Sequence, residues 1–171
     1  MKRNLFLIAT VILSGCATTL PSGLLYQEAT KNLLRVESGK SRLTLFRPAE
    51  GKQKSKADAH IKIDGTPAES VIYGSFIHVD IPVGKHEASV KAFGTSTCNV
   101  GFEAASGEEL FFEIMPRASI NSGWFILGIV GAVAGSAIES SGKDCGGEFA
   151  IRKVDAEYAI KKLAGIRQNE K

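Results

Sequence analysis

The chain has 171 residues, 44% of them hydrophobic, with 21 Lys and Arg against 18 Asp and Glu for a formal charge of +3. That length supports a single domain with a true core. The slight basicity, with no run of five or more Lys or Arg, argues against nucleic acid as a partner, and Lys52, Lys54 and Lys56 read as a solvated loop tip.

The N-terminus places Lys2 and Arg3 ahead of an apolar run over residues 5–13, followed by Ser14, Gly15 and Cys16. A cationic start, a short apolar stretch and small residues have the layout of a secretory signal, and about nine apolar residues fall well short of the ~20 that span a bilayer as a helix. Leu13-Ser14-Gly15-Cys16 resembles the lipobox of bacterial lipoproteins. The resemblance implies a diacylglycerol on the Cys16 sulfur, cleavage between Gly15 and Cys16, and an acyl chain on the new amino terminus. Two or more chains make a firm anchor where one holds only marginally. In enterobacterial lipoproteins an aspartate after the cysteine favours the inner membrane, so Ala17 implies the outer membrane. Losing residues 1–15 removes Lys2 and Arg3 and lowers the formal charge from +3 to +1.

Residues 16–40 are expected to form the lipidated N-terminus and tether. Leu25, Ala29, Leu33 and Val36 recur at three- and four-residue spacing, which allows either a short helix on the domain or an apolar linker. From Ser41 the period becomes two. Leu43 and Leu45 alternate with polar residues up to Pro48, and Ala59, Ile61 and Ile63 alternate before the tight-turn pair Asp64-Gly65. Ile77, Val79 and Ile81 lead into Pro82-Val83-Gly84-Lys85. Ala88, Val90 and Ala92, then Cys98, Val100 and Phe102, then Leu110, Phe112 and Ile114 follow the same alternation. Short strands with one apolar face predict a mainly β fold, a small antiparallel β-sandwich over residues 41–116. Phe46, Phe76 and Phe111 have the wrong parity for that core and must be covered or form an exposed aromatic patch.

The stretch Gly74-Ser75-Phe76-Ile77-His78-Val79-Asp80-Ile81-Pro82-Val83-Gly84-Lys85-His86 resembles a pattern in an uncharacterised family of bacterial lipoproteins with a domain of unknown function. It is also similar to PEGA-type surface modules, whose strands meet at a Pro-x-Gly-x-His turn. Leu45-Phe46-Arg47-Pro48, Ile63-Asp64-Gly65 and Gly107-Glu108-Glu109-Leu110-Phe111 match further pieces of the lipoprotein pattern in order. The resemblance implies fold and address and carries no activity.

Between Arg117 and Glu139 the chain holds no charge, and Trp124, Gly128, Gly131 and Gly135 mark an apolar, glycine-rich core within residues 117–146. Small residues at this spacing give a smooth helical face, but about fifteen apolar residues make only ~22 Å of helix, marginal for a ~30 Å hydrocarbon core. Three readings stay open: an excursion packed on the sandwich, a membrane-inserted helix near the anchor, or a self-association surface. Residues 147–171 predict a returning strand with Phe149 and Ile151 inward, then a helix capped by Asp155 with Ala159, Ile160, Leu163 and Ala164 as its apolar stripe. With Cys16 lipidated, Cys98 and Cys145 form a disulfide or remain free thiols; a metal site would need more ligands.

For chemistry, His78 and Asp80 share a strand face, with His60 a candidate neighbour across the sheet, yet no nucleophile elbow, phosphate loop or metal-binding helix motif accompanies them. The expectation is a non-enzymatic, lipid-anchored envelope protein without a cofactor. It would be held to the membrane through Cys16 and would bind or support another envelope protein or a second copy. The alternatives are membrane insertion or self-assembly through residues 123–138, and hydrolysis on the His78/Asp80 face.

Overall fold

In the computed structural model, which describes residues 21–49, 57–117 and 145–169, two sheets lie face to face with two helices on the outer face of the first. The elements in chain order are α1 (Tyr26–Lys31), β1 (Lys40–Phe46), β2 (His60–Ile63), β3 (Thr66–Pro67), β4 (Ser75–Pro82) and β5 (Gly84–Lys91). After them come β6 (Cys98–Ala104), β7 (Glu109–Pro116), β8 (Phe149–Val154), α2 (Ala156–Leu163) and β9 (Arg167–Gln168). The first sheet has the order β8-β7-β1-β4-β9 and the second β3-β2-β5-β6.

The alternation of apolar residues explains the layers. Leu43 and Leu45 of β1, Ile77 and Ile81 of β4, and Leu110, Phe112 and Ile114 of β7 point inward. They meet Ile61 and Ile63 of β2, Ala88 and Val90 of β5, and Cys98 and Val100 of β6. The mainly β sandwich expected from the sequence is therefore present, with one amendment: its first sheet is mixed. β1 pairs antiparallel with β4 but parallel with β7, Leu43 opposite Leu110, and β9 runs parallel to β4. The parallel pair arises because β5 and β6 belong to the other sheet, so the chain returns to the first sheet running in the direction of β1.

Phe46, Phe76 and Phe111 are covered, and the cover comes from both ends of the described chain. They form a second apolar cluster with Tyr26 and Ala29 of α1 and with Ala159, Leu163 and Ile166 in and after α2. Strand β1 is buried on both faces for this reason. Helix α1 is shorter than the predicted stripe over residues 25–36, and residues 32–39 continue without regular structure. Helix α2 opens as expected, the Asp155 side chain accepting from the Tyr158 amide at 2.8 Å. Its stripe is narrower than predicted: Ala159 and Leu163 are buried, whereas Ile160 is 51% exposed and Ala164 faces solvent.

The Asp64-Gly65 turn has positive φ at both central residues, 51° and 78°, which a two-residue hairpin matching strand twist requires. It joins β2 to β3, a strand too short to have been visible in the hydropathy pattern. Residues 1–20 and 118–144, which include Cys16, Trp124, Gly128, Gly131 and Gly135, lie outside the described residues.

Candidate functional site

An open groove of about 1100 Å³ lies between the α1 side of the molecule and the outer face of the first sheet. One wall is α1 with the irregular residues that follow it, Leu33 to Ser38. The other includes Arg42 at the start of β1, Glu109 at the start of β7, the Ser106-Gly107 turn and Ile160 of α2. Leu34, 84% exposed, stands at its edge.

Arg42 organises this region. Its Nε and Nη2 donate to the two carboxylate oxygens of Asp80 on β4 at 2.7 and 2.8 Å, a bidentate pair across adjacent strands. Its Nη1 donates to the Leu34 carbonyl at 2.9 Å and so holds the irregular wall against the sheet. The hydrogen bond from Arg42 keeps the Asp80 carboxyl below the usual carboxylate range against the opposing effect of burial.

One step down β4, His78 packs beside the rings of Phe76 and Tyr26, with centroids 5.2 and 6.2 Å away. Its Nδ1 shares a hydrogen bond with the Thr44 hydroxyl at 2.9 Å, and its Nε2 is buried without a hydrogen-bond partner among the described residues. Burial, reinforced by the Arg42 charge and opposed by Asp80, lowers the His78 pKa from 6.5 to about 4. His78 and Asp80 thus share a face, as the spacing predicts. They do not form a histidine–carboxylate relay, because Asp80 directs both oxygens at Arg42. The hydroxyl beside His78 belongs to Thr44, which is 1% exposed and out of reach of a substrate. His60 does not join them: it lies on β2 in the second sheet, with Nδ1 2.8 Å from the Ser70 hydroxyl.

Two arrangements were not legible as units in the sequence. His86 places Nδ1 2.6 Å from Asp64 Oδ2 and Nε2 2.9 Å from the Pro82 carbonyl, while Asp64 Oδ1 accepts from the Glu87 amide at 2.9 Å. The Ile-Asp-Gly and Pro-x-Gly-x-His pieces therefore meet in space and brace one another. On the other side of the first sheet, Glu113, 5% exposed, is gripped by Arg152 of β8 and by the Tyr158 hydroxyl of α2. Its charge in the midst of Leu110, Phe111, Phe112 and Ile114 was the available signal.

Cys98 and Cys145 are joined as a disulfide across 47 residues. Gly147 makes the approach possible, since a side chain there would run into the Ser96 carbonyl. Among the described residues, no group of three His, Cys, Asp or Glu side chains is placed to hold a metal ion, and no helix is long and apolar enough to cross a membrane. No protein-family model matches the chain, and no curated protein matches it.

Proposed function

We propose that this chain is a lipid-anchored lipoprotein of the bacterial cell envelope, whose β-sandwich is a non-catalytic binding or structural module on the periplasmic side of the outer membrane. The observation that carries the reading is the Cys98–Cys145 disulfide. It fits an oxidising compartment, and of three cysteines it leaves only Cys16, the one in the lipobox-like Leu13-Ser14-Gly15-Cys16. On the first sheet Arg42 pairs with Asp80 and Arg152 with Glu113, which suits a scaffold better than a reaction centre. The groove beneath Leu34 offers mixed apolar and charged walls to a partner.

The test is export of the full chain in a two-membrane bacterium beside a form that starts at Ala17 behind an ordinary cleavable leader. The full chain floats with outer-membrane vesicles, and the unlipidated form is recovered from the periplasm as a monomer by light scattering. A full chain in the soluble fraction contradicts the anchor. An unlipidated form that stays on membranes, or that only detergent disperses, shifts the reading to insertion or self-assembly through residues 123–138.

A further inference from the structure

We infer that the sandwich stands end-on upon a phospholipid surface, with the end that carries Phe93 against the bilayer. This rests on the lipid-anchor reading and adds the face that meets the lipid. Three features on separate stretches of chain converge at that end.

The first is the entry of the N-terminal segment. Gly23 donates its amide to the Gln168 carbonyl at 3.2 Å and Leu25 bridges to Arg167; β9 in turn pairs with Ser75 and Phe76 at the start of β4. The second is the departure and return of the uncharged stretch. Pro116 lies opposite Phe149, and Arg117 donates to the Glu148 carbonyl at 2.8 Å, where β7 ends and β8 begins. Phe46 at the end of β1 pairs with both Phe76 and Glu113, so these positions share one edge of the sheet. The third is Phe93. It sits in the turn between β5 and β6, is 92% exposed, and is tied to the same end by the disulfide from Cys98 to Cys145. The turns at Asp64-Gly65, Pro82-Val83-Gly84 and Ser106-Gly107 occupy the opposite end, where Val83 donates to the Gly39 carbonyl and Gly39 to the Ser106 hydroxyl.

Magnitudes choose the orientation. Cys16 precedes Gly23, the residue tied to β9, by seven residues, which reach at most ~25 Å even when fully extended. Strand β5, eight residues long, measures ~26 Å. A lipid on Cys16 therefore holds the Gly23 end to the surface and leaves the opposite turns above it. Lying flat on the helical face is the competing arrangement, and it would seat Ile160 of α2 in the lipid. It would also lift Phe93, which belongs to the second sheet, away from the surface. Only end-on contact brings the Gly23 entry, the Arg117 exit and Phe93 to one plane. An aromatic ring exposed at a turn tip suits the boundary between headgroups and acyl chains.

The test places the photoreactive residue benzoylphenylalanine at Phe93, Val83 or Ile160, one at a time, in the full lipidated chain. Each protein is reconstituted into phosphatidylethanolamine–phosphatidylglycerol vesicles carrying a tritiated acyl chain, floated, and irradiated. The expected result is co-flotation of all three, with label transferred from position 93 several-fold above positions 83 and 160. Co-flotation with equal or greater transfer at 83 or 160 overturns the orientation and leaves the anchor standing. An adduct from position 93 to a second copy of the chain, in place of lipid, overturns it as well. Failure to co-float overturns the anchor and this orientation together.

Discussion

At the scale of single residues, His78 sets a pH dependence whose sign follows from its surroundings. Its pKa falls from 6.5 to about 4 on folding, chiefly through burial. Between those values the unfolded chain binds a proton that the folded chain does not. Stability contributed by the neutral ring is therefore complete above pH 6.5 and declines as pH falls toward 4, by at most about 3 kcal/mol. Asp80 and Asp64 are held below the usual carboxylate range, Asp80 by its bond from Arg42 and Asp64 by its bond from His86. Their contributions are lost at lower pH, outside the His78 window. Urea denaturation at pH 7.5 and pH 4.5 shows the decline in the parent protein, and His78→Gln, which can still meet the Thr44 hydroxyl, flattens it. An equally steep decline in the variant would show that His78 is not its source. Arg42 makes a second residue-scale case. Arg42→Met leaves Asp80 without its bidentate partner and frees the Leu34 carbonyl, costing about 2 kcal/mol. Amide exchange over residues 33–38 then quickens while the strands stay protected. The shared face of His78 and Asp80 was legible from alternation, since spacing by two is a property of any strand. What lies opposite that face was not legible, because Thr44, Arg42 and Tyr26 come from elements whose register no local pattern specifies.

Among the elements, periodicity reported the strands, including those buried on both faces, but only one buried face of each. Phe46, Phe76 and Phe111 have the wrong parity only while a two-sheet reading assigns one buried face per strand. The sheet has a third layer, and α1 and α2 supply it. The same fact explains the error in the stripe of α2. Ile160 has the right spacing to be core but looks into the groove, while Tyr158 turns inward to hold Glu113. Leu163→Ala is expected to cost about 2–5 kcal/mol, as for other large-to-small changes at fully buried sites, against no more than about 0.5 kcal/mol for Ile160→Ala. Thermal or denaturant unfolding of the two variants side by side checks both, and similar losses would show that Ile160 is buried after all. Strands β3 and β9 have two residues each, too few for any alternation to register. The disulfide was one of two options on the sequence, because connectivity is a matter of three-dimensional approach. Its removal by Cys98→Ser with Cys145→Ser is expected to cost about 2–4 kcal/mol and to leave α2 and its cluster in place.

For the whole molecule, the architecture separates two ends. One gathers the entry of the N-terminal segment, the flanks of the uncharged stretch and Phe93. The other gathers the tight turns. The groove reaches toward this second end through Ser106 and Gly107, so the orientation proposed above turns it away from the lipid. Composition and strand spacing made the fold class legible. The mixed sheet was not, since a parallel pairing between β1 and β7 depends on the intervening strands choosing the other sheet. The proposed anchor rests on the residue types of residues 1–16 alone, whereas the groove proposed to take a partner joins Leu34, Arg42 and Glu109 from separate stretches of chain that no local pattern brings together.

The lipid on Cys16 is the claim on which the address, the orientation and the facing of the groove all depend. Mass spectrometry of the N-terminal peptide, taken from full chain purified out of bacterial membranes, measures it directly. The expected product is a mature chain that begins at Cys16 and carries the added mass of a diacylglycerol with a further acyl chain. A chain that retains residues 1–15, or that begins elsewhere with an unmodified Cys16, would contradict it.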